Sequence, residues 1–235
     1  MKNIVAMTML LSLCSGFLTA ESYIIKSPDE KLSVTVEVKD DITFSVSLNN
    51  ETILEPSGIN MVIDGKNLGK SPKVQKVIRK TVLNSISPVV PRKYKELVNH
   101  YHEMSIQFRG NYSLVFRVYD EGVAYRWETR FKKSVKVNSE LAAFVFNSDH
   151  KIWFPEEESM FSHQEREYKY IPLSGIDENM FCSTATLVDI GDNRKVFISE
   201  AELYDYPGMY LRKYNEYGLQ GIFPHFPLKT EQKND

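Results

Sequence analysis

The sequence predicts an all-β domain, a large sandwich of two packed sheets, and three observations carry that prediction. Apolar residues recur with period two through most of the chain, as strands with one buried face require. Turn residues such as Asp64-Gly65, Arg109-Gly110-Asn111 and Asp192-Asn193 break these runs at short intervals. No long segment repeats every 3.6 residues, so helix is confined to short pieces, with 93–97 and 156–161 as the candidates.

The N-terminus reads as a secretory leader. Met1-Lys2-Asn3 is a short positive start, residues 4–13 are apolar, and Leu18-Thr19-Ala20 ends on a small residue. Cleavage near Ala20 would remove residues 1–20 and place the protein in the periplasm or outside the cell. The apolar run falls short of the roughly 20 residues that cross a bilayer, so no membrane span is expected. Cys14 raises the alternative of a lipoprotein signal, but Leu13 before it is a poor fit, because such signals want a small residue there.

After the leader, Leu32, Val34, Val36 and Val38 alternate with Ser33, Thr35 and Glu37. Lys39-Asp40-Asp41 interrupts the run. Ile42, Phe44, Val46 and Leu48 then alternate with Thr43, Ser45 and Ser47, which completes a hairpin with one buried face. Further strand-like runs fall at 61–63, 74–78, 104–108, 112–119, 123–128, 143–146, 152–154, 184–190, 195–199 and 209–212. No repeat, linker or low-complexity stretch divides residues 21–235, so they read as one domain, longer than an immunoglobulin-like sandwich. The polar tail 229–235 is expected to fray.

Composition excludes some partners. Lys and Arg total 29 against 31 Asp and Glu, a net charge of −2 that becomes −3 once Lys2 leaves with the leader. That balance offers no electrostatic footprint for nucleic acid. Of the 2 cysteines only Cys182 remains after cleavage, so no intrachain disulfide forms. Its apolar neighbourhood suggests a buried, inert thiol.

The densest pattern is FRVYDEGVAYRW at 116–127. It reads as two strands joined at Asp120-Glu121-Gly122, where glycine offers the positive φ of a hairpin turn. Leu114, Phe116 and Val118 share one face, and Val115, Arg117 and Tyr119 share the other. Tyr125 and Trp127 alternate with Ala124, Arg126 and Glu128. A face mixing arginines with aromatics is unusual for a plain solvent face.

This run resembles a hallmark of the N-terminal domain of glycoside hydrolase family 97. Three more segments are similar to that family: SPDEKL at 27–32, with Glu30 where glycine is usual, ISEAELYDYPGM at 198–209, and FPLKTEQ at 226–232. The four are collinear and cover nearly all of the chain after the leader. The resemblance implies a β-super-sandwich like that of galactose mutarotase, taken from secreted glycosidases that degrade polysaccharide by hydrolysing α-glucosides or α-galactosides. In that family a (β/α)8 barrel follows this domain and supplies the catalytic residues. Such a barrel takes about 250 residues. It is expected to be missing here, leaving this chain with no catalytic residue of its own.

The family also implies a calcium ion beside the catalytic site, held in part by a glutamate of the ISEAEL segment. That role falls on Glu200 first and Glu202 second. By their own chemistry, Glu200 and Glu202 flank Ala201 at the end of an apolar strand. In an extended chain they share a side, where two carboxylates suit a hard cation or sugar hydroxyls; a solvated strand end is the plain alternative. Calcium takes about 6 to 8 oxygen ligands, so this chain alone is expected to bind it weakly or not at all.

Other residues invite weaker readings. Glu156-Glu157-Glu158 beside Trp153-Phe154-Pro155, followed by Ser162 and His163 to Arg166, suggests a loop against the barrel with Trp153 or Phe154 at a sugar-facing rim. A solvated loop is the favoured reading for the glutamates. His100 and His102 next to Glu103 imitate a metal site, but without a third ligand cluster they read as a polar strand start. His225, between two Phe-Pro pairs, belongs to an extended segment leading toward the barrel. Tyr204, Tyr206 and Tyr210 suit sugar stacking, barrel contact or core packing equally.

Three functions compete on these grounds. The first is a non-catalytic, carbohydrate-binding-like N-terminal module that braces the barrel and supplies a calcium ligand. The second is a free-standing carbohydrate-binding sandwich. A sugar epimerase on the same kind of sandwich ranks last, because fold does not carry mechanism and the histidines lack a catalytic setting.

Overall fold

The computed structural model describes residues 21–163 and 165–226. The expected leader, with Cys14, and the polar tail 229–235 lie outside these residues. The described chain is antiparallel β throughout, and its strands are numbered here in chain order.

One large sheet runs β1 (Glu21–Lys26), β2 (Leu32–Val38), β3 (Ile42–Leu48), β4 (Glu51–Ile63), β10 (Val137–Val145), β17 (Gly218–Ile222), β16 (Tyr210–Asn215) and β13 (Phe181–Ser183), with the short β5 (Lys66–Asn67) paired to β4. A second sheet has the order β6 (Val74–Ile86), β7 (Leu97–Phe108), β8 (Tyr112–Tyr119), β9 (Gly122–Thr129). A third has the order β12 (Tyr168–Pro172), β11 (Lys151–Pro155), β14 (Thr186–Gly191), β15 (Arg194–Ile198).

The alternating pattern explains how the sheets meet. Val34, Val36 and Val38 of β2 and Ile42, Phe44 and Val46 of β3 are all buried. They face Met104, Ile106 and Phe108 of β7 and Leu114, Phe116 and Val118 of β8, also buried. The Phe44 ring lies 5.9 Å from Phe116 and 5.6 Å from Tyr125. Each such apolar side chain contributes about 1.5–3 kcal/mol when withdrawn from water. Ile152, Phe154, Val188 and Ile198 of the third sheet join the same core.

Three local expectations change. Neither 93–97 nor 156–161 is helical; the one helical piece among the described residues is a 3₁₀ turn, Leu173–Gly175. Residues 93–97 belong to the connection between β6 and β7 and the start of β7, whereas Glu156 bridges to Cys182 and the Glu157 amide donates to the Phe181 carbonyl at 2.9 Å. Backbone groups committed to a neighbouring strand cannot serve a helix. Gly122 is a strand residue opposite Tyr119, and it does not take a positive φ. The turn is Asp120-Glu121 alone, held from outside by Asp120, whose carboxylate accepts the Asp29 amide at 2.9 Å. Finally, the run 184–190 is broken at Ala185, whose φ of 72° separates β13 from β14.

Candidate functional site

The ISEAEL segment begins as β15. Ile198 is buried, and its carbonyl accepts the Ala185 amide at 3.0 Å. Regular pairing stops there, and residues 199–209 form a loop that returns to β16. Glu200 turns back into that loop. Both of its carboxylate oxygens accept the Met209 amide, at 2.8 and 3.0 Å, and the Thr184 hydroxyl donates to it as well. Burial pushes the Glu200 carboxyl above the usual carboxylate range, and the Met209 and Thr184 bonds moderate the rise.

Glu202 does something else. Its φ of 56° puts it in the left-handed region, and its carboxylate accepts from the Arg126 guanidinium at 3.0 Å. Arg126 also holds Glu128 at 2.7 Å. The segment is not extended, so the shared side that an extended chain gives Glu200 and Glu202 does not form. Each carboxylate has its own partner.

Beneath the loop, the Tyr206 hydroxyl donates to Glu140 on β10 at 2.5 Å, and its ring meets Phe223 edge-on at 5.9 Å. Burial pushes the Glu140 carboxyl upward, the Tyr206 bond opposes that, and the nearby charge of Glu200 adds to it. Tyr206 is raised in turn, by burial first and by Glu140 second. Tyr206 is therefore a clasp for the loop, whereas Tyr204 is 84% exposed. Tyr210 donates to the Met160 carbonyl at 3.0 Å and ties the 156–163 loop to β16.

The acidic triplet departs from the solvated reading at one position. Glu157 is buried and paired with Arg166 at 2.8 Å, while Glu156 pairs with Lys169 and Glu158 is exposed. Of the two rim candidates, Phe154 is wholly buried in the core and only Trp153 faces outward. His100 and His102 lie edge-on, 6.4 Å between ring centres, and His102 Nδ1 sits 2.9 Å from the Lys26 carbonyl. Glu103, one residue on, points to the opposite face, where Lys80 and Arg117 hold it at 2.9 and 2.8 Å. Cys182 is fully buried, and burial pushes its thiol well up, which leaves it unreactive. His225 is exposed.

Among the described residues no three His, Cys, Asp or Glu side chains converge as a metal cluster. Glu200 contributes one carboxylate, and calcium wants several more oxygens. The described residues therefore do not by themselves make a calcium cage, although the Glu200 carboxylate is of the donor type that calcium takes. Sequence reasoning missed Glu140, Thr184 and the Met209 amide, because nothing in their spacing links them to Glu200.

Residues 25–231 match the family model described as Glycosyl-hydrolase 97 N-terminal. This chain belongs to that family. The family 97 domain is 32% identical over 236 aligned residues to a retaining α-galactosidase of Bacteroides thetaiotaomicron, covering 95% of this chain and 36% of that protein. A probable retaining α-galactosidase of Streptomyces bingchenggensis is 31% identical over 116 residues, 48% of this chain and 18% of that one. The chain thus spans about a third or less of these relatives. Among solved structures, a family 97 enzyme from Pseudoalteromonas sp. strain K8 in complex with acarbose superposes with a TM-score of 0.75 at 21% identity, over 86% of this chain and 32% of that one. A β-arabinopyranosidase superposes with a TM-score of 0.77 at 25% identity, over 86% and 35%.

Proposed function

We propose that this family 97 domain is the non-catalytic N-terminal module of an exported α-glycosidase acting on α-glucosides or α-galactosides. It braces the catalytic barrel and lends Glu200 as one ligand of a calcium ion held between the two. The observation that carries this reading is the placement of Glu200. It stands half-buried on a loop fixed at both ends, by β15 and by the Met209 amide, beside exposed Leu203 and Tyr204. An oriented carboxylate next to uncovered apolar surface suits a site finished by a docking partner.

Calcium, when bound, would supply electrostatic polarisation at the reacting sugar. This chain's part is to orient Glu200, exclude water behind it through the Tyr206–Glu140 clasp, and hold Glu202 aside on Arg126. The acid and base of the reaction belong to the barrel. The α-galactosidase relatives support the glycosidase assignment.

The test joins residues 21–235 to the remainder of the Bacteroides relative and measures calcium affinity and hydrolysis of nitrophenyl α-glycosides. Glu200→Gln should weaken calcium binding about tenfold or more and lower activity with it. A hybrid indifferent to Glu200→Gln would overturn the role, as would turnover by the purified chain alone.

A further inference from the structure

The third sheet turns one face to the core and the other to solvent. Ile152, Phe154, Val188 and Ile198 point inward and are buried. The opposite face carries Tyr170 of β12, Trp153 of β11, Leu187 of β14 and Phe197 of β15. The register makes these four a continuous row, since Tyr170 pairs with Trp153, Trp153 with Leu187, and Leu187 with Phe197. Three strand spacings give the row a length of about 14 Å. Tyr168 sits at the next outward position of β12, opposite Pro155. Tyr170 is 45% exposed, Tyr168 51% and Phe197 62%.

A second row runs parallel to the first. Lys151 is opposite Asp189, and Asp189 is opposite Lys195. Asp189 accepts from Lys195 at 2.9 Å and from the Tyr170 hydroxyl at 3.0 Å. The Lys151 ammonium stands 5.0 Å from the centre of the Tyr170 ring, and that ring lies 4.5 Å from Trp153.

We propose that this face is a binding platform for a neutral pyranose oligosaccharide. Pyranose rings are amphipathic, with flat C–H faces and hydroxyl edges. An aromatic row takes the faces, and a row of ionised donors and acceptors beside it takes the hydroxyls. The exposed apolar groups on this face are rings, and Leu187 between them is half-buried. Charge selects the ligand further. Asp189 neutralises Lys195, which leaves Lys151 as the single uncompensated charge on the two rows. An acidic glycan would find little to hold it. The platform also adjoins the candidate site, because Phe197 is followed by Ile198 and the Glu200 loop, so a bound chain would extend toward Glu200.

Titration calorimetry and tryptophan fluorescence on the purified chain test this, with maltoheptaose and a galactosyl-manno-oligosaccharide as neutral probes and oligogalacturonate as the acidic one. At least one neutral probe should bind, shift the Trp153 emission, and bind about tenfold more weakly to Phe197→Ala and to Trp153→Ala. Phe197 is exposed enough that its variant should keep the parent circular dichroism. The idea is overturned if neither neutral probe gives heat or a fluorescence change, or if binding survives both ring removals. It is equally overturned if only oligogalacturonate binds, or if the barrel-bearing part of the relative occupies this face and both variants release it. The measurement involves neither calcium nor barrel, so its outcome is separate from that for Glu200.

Discussion

Glu140 shows how a single residue's environment fixes its contribution. Its carboxyl is raised by burial and by the Glu200 charge, and the Tyr206 hydroxyl offsets only part of that. For an acid whose folded-state pKa lies above its unfolded value, the folded state holds more protons in the window between the two. Stability therefore falls as pH rises through that window, and at neutral pH the charge is a burden. Glu140→Gln keeps an acceptor for Tyr206 and removes the charge. In urea titrations it should be more stable than the parent at pH 7, with the advantage shrinking as pH drops through the carboxylate range. A loss of stability at pH 7 that disappears at low pH would instead show that the charge itself holds the clasp. Glu157 makes the complementary point. Three consecutive glutamates look alike in sequence, yet the middle one is buried because its amide reaches the Phe181 carbonyl and its carboxylate meets Arg166 nine residues on. That partner was visible in the sequence; the strand that brings it there was not.

At the scale of elements, legibility followed burial. The β2–β3 hairpin was readable to the residue because one face is wholly apolar and the other polar, and β8 because its apolar run is bounded by turn residues at both ends. The β6–β7 arm was read only in its lower part, from 74–78 and 104–108. Its outer reaches carry Leu83, Ile86, Leu97 and Val98 exposed, so no buried face announces them. Pairing with β8 begins only at His102, which leaves 97–101 without a third strand. β17 escaped notice because its glycines, Gly218 and Gly221, mask the alternation. The same arm solves a problem that sequence does not reveal. β1 is the edge of the large sheet, and the Ser27 amide bonds Leu32 of β2 at 2.8 Å. Backbone direction alternates, so Ile24 and Lys26 turn their carbonyls away from β2. Arg79 donates to the Ile24 carbonyl at 3.4 Å, and His102 Nδ1 lies 2.9 Å from that of Lys26. These side chains cover an edge that would otherwise recruit another strand. Replacing both, as Arg79→Ala with His102→Ala, should leave the fold intact and promote self-association in sedimentation velocity. A double variant as monomeric as the parent would remove the guarding role.

The whole molecule raises a question of unity, because three sheets need not fold together. Their inward faces argue that they do. Phe44 of the large sheet, Phe116 of the second, and Ile152 and Phe154 of the third belong to one contiguous buried cluster, with Leu211 and Leu219 in the same cluster. Removing the third sheet would uncover Val188 and Ile198 on one side and leave Cys182 and its neighbours exposed on the other. Neither half retains a closed core. The chain holds 2 tryptophans, and they sit in different sheets, Trp127 on β9 and Trp153 on β11. Trp127→Phe therefore leaves Trp153 as a single reporter for the third sheet, and Trp153→Phe leaves Trp127 for the second. In urea, the fluorescence midpoint of each variant should coincide with its own far-ultraviolet circular dichroism midpoint, as a single cooperative transition requires. If the Trp153 reporter moved at lower urea than the circular dichroism, the third sheet would be a separable unit. The loop that carries Glu200 would then melt before the sandwich, and its orientation would depend on the docking partner rather than on this chain's own core.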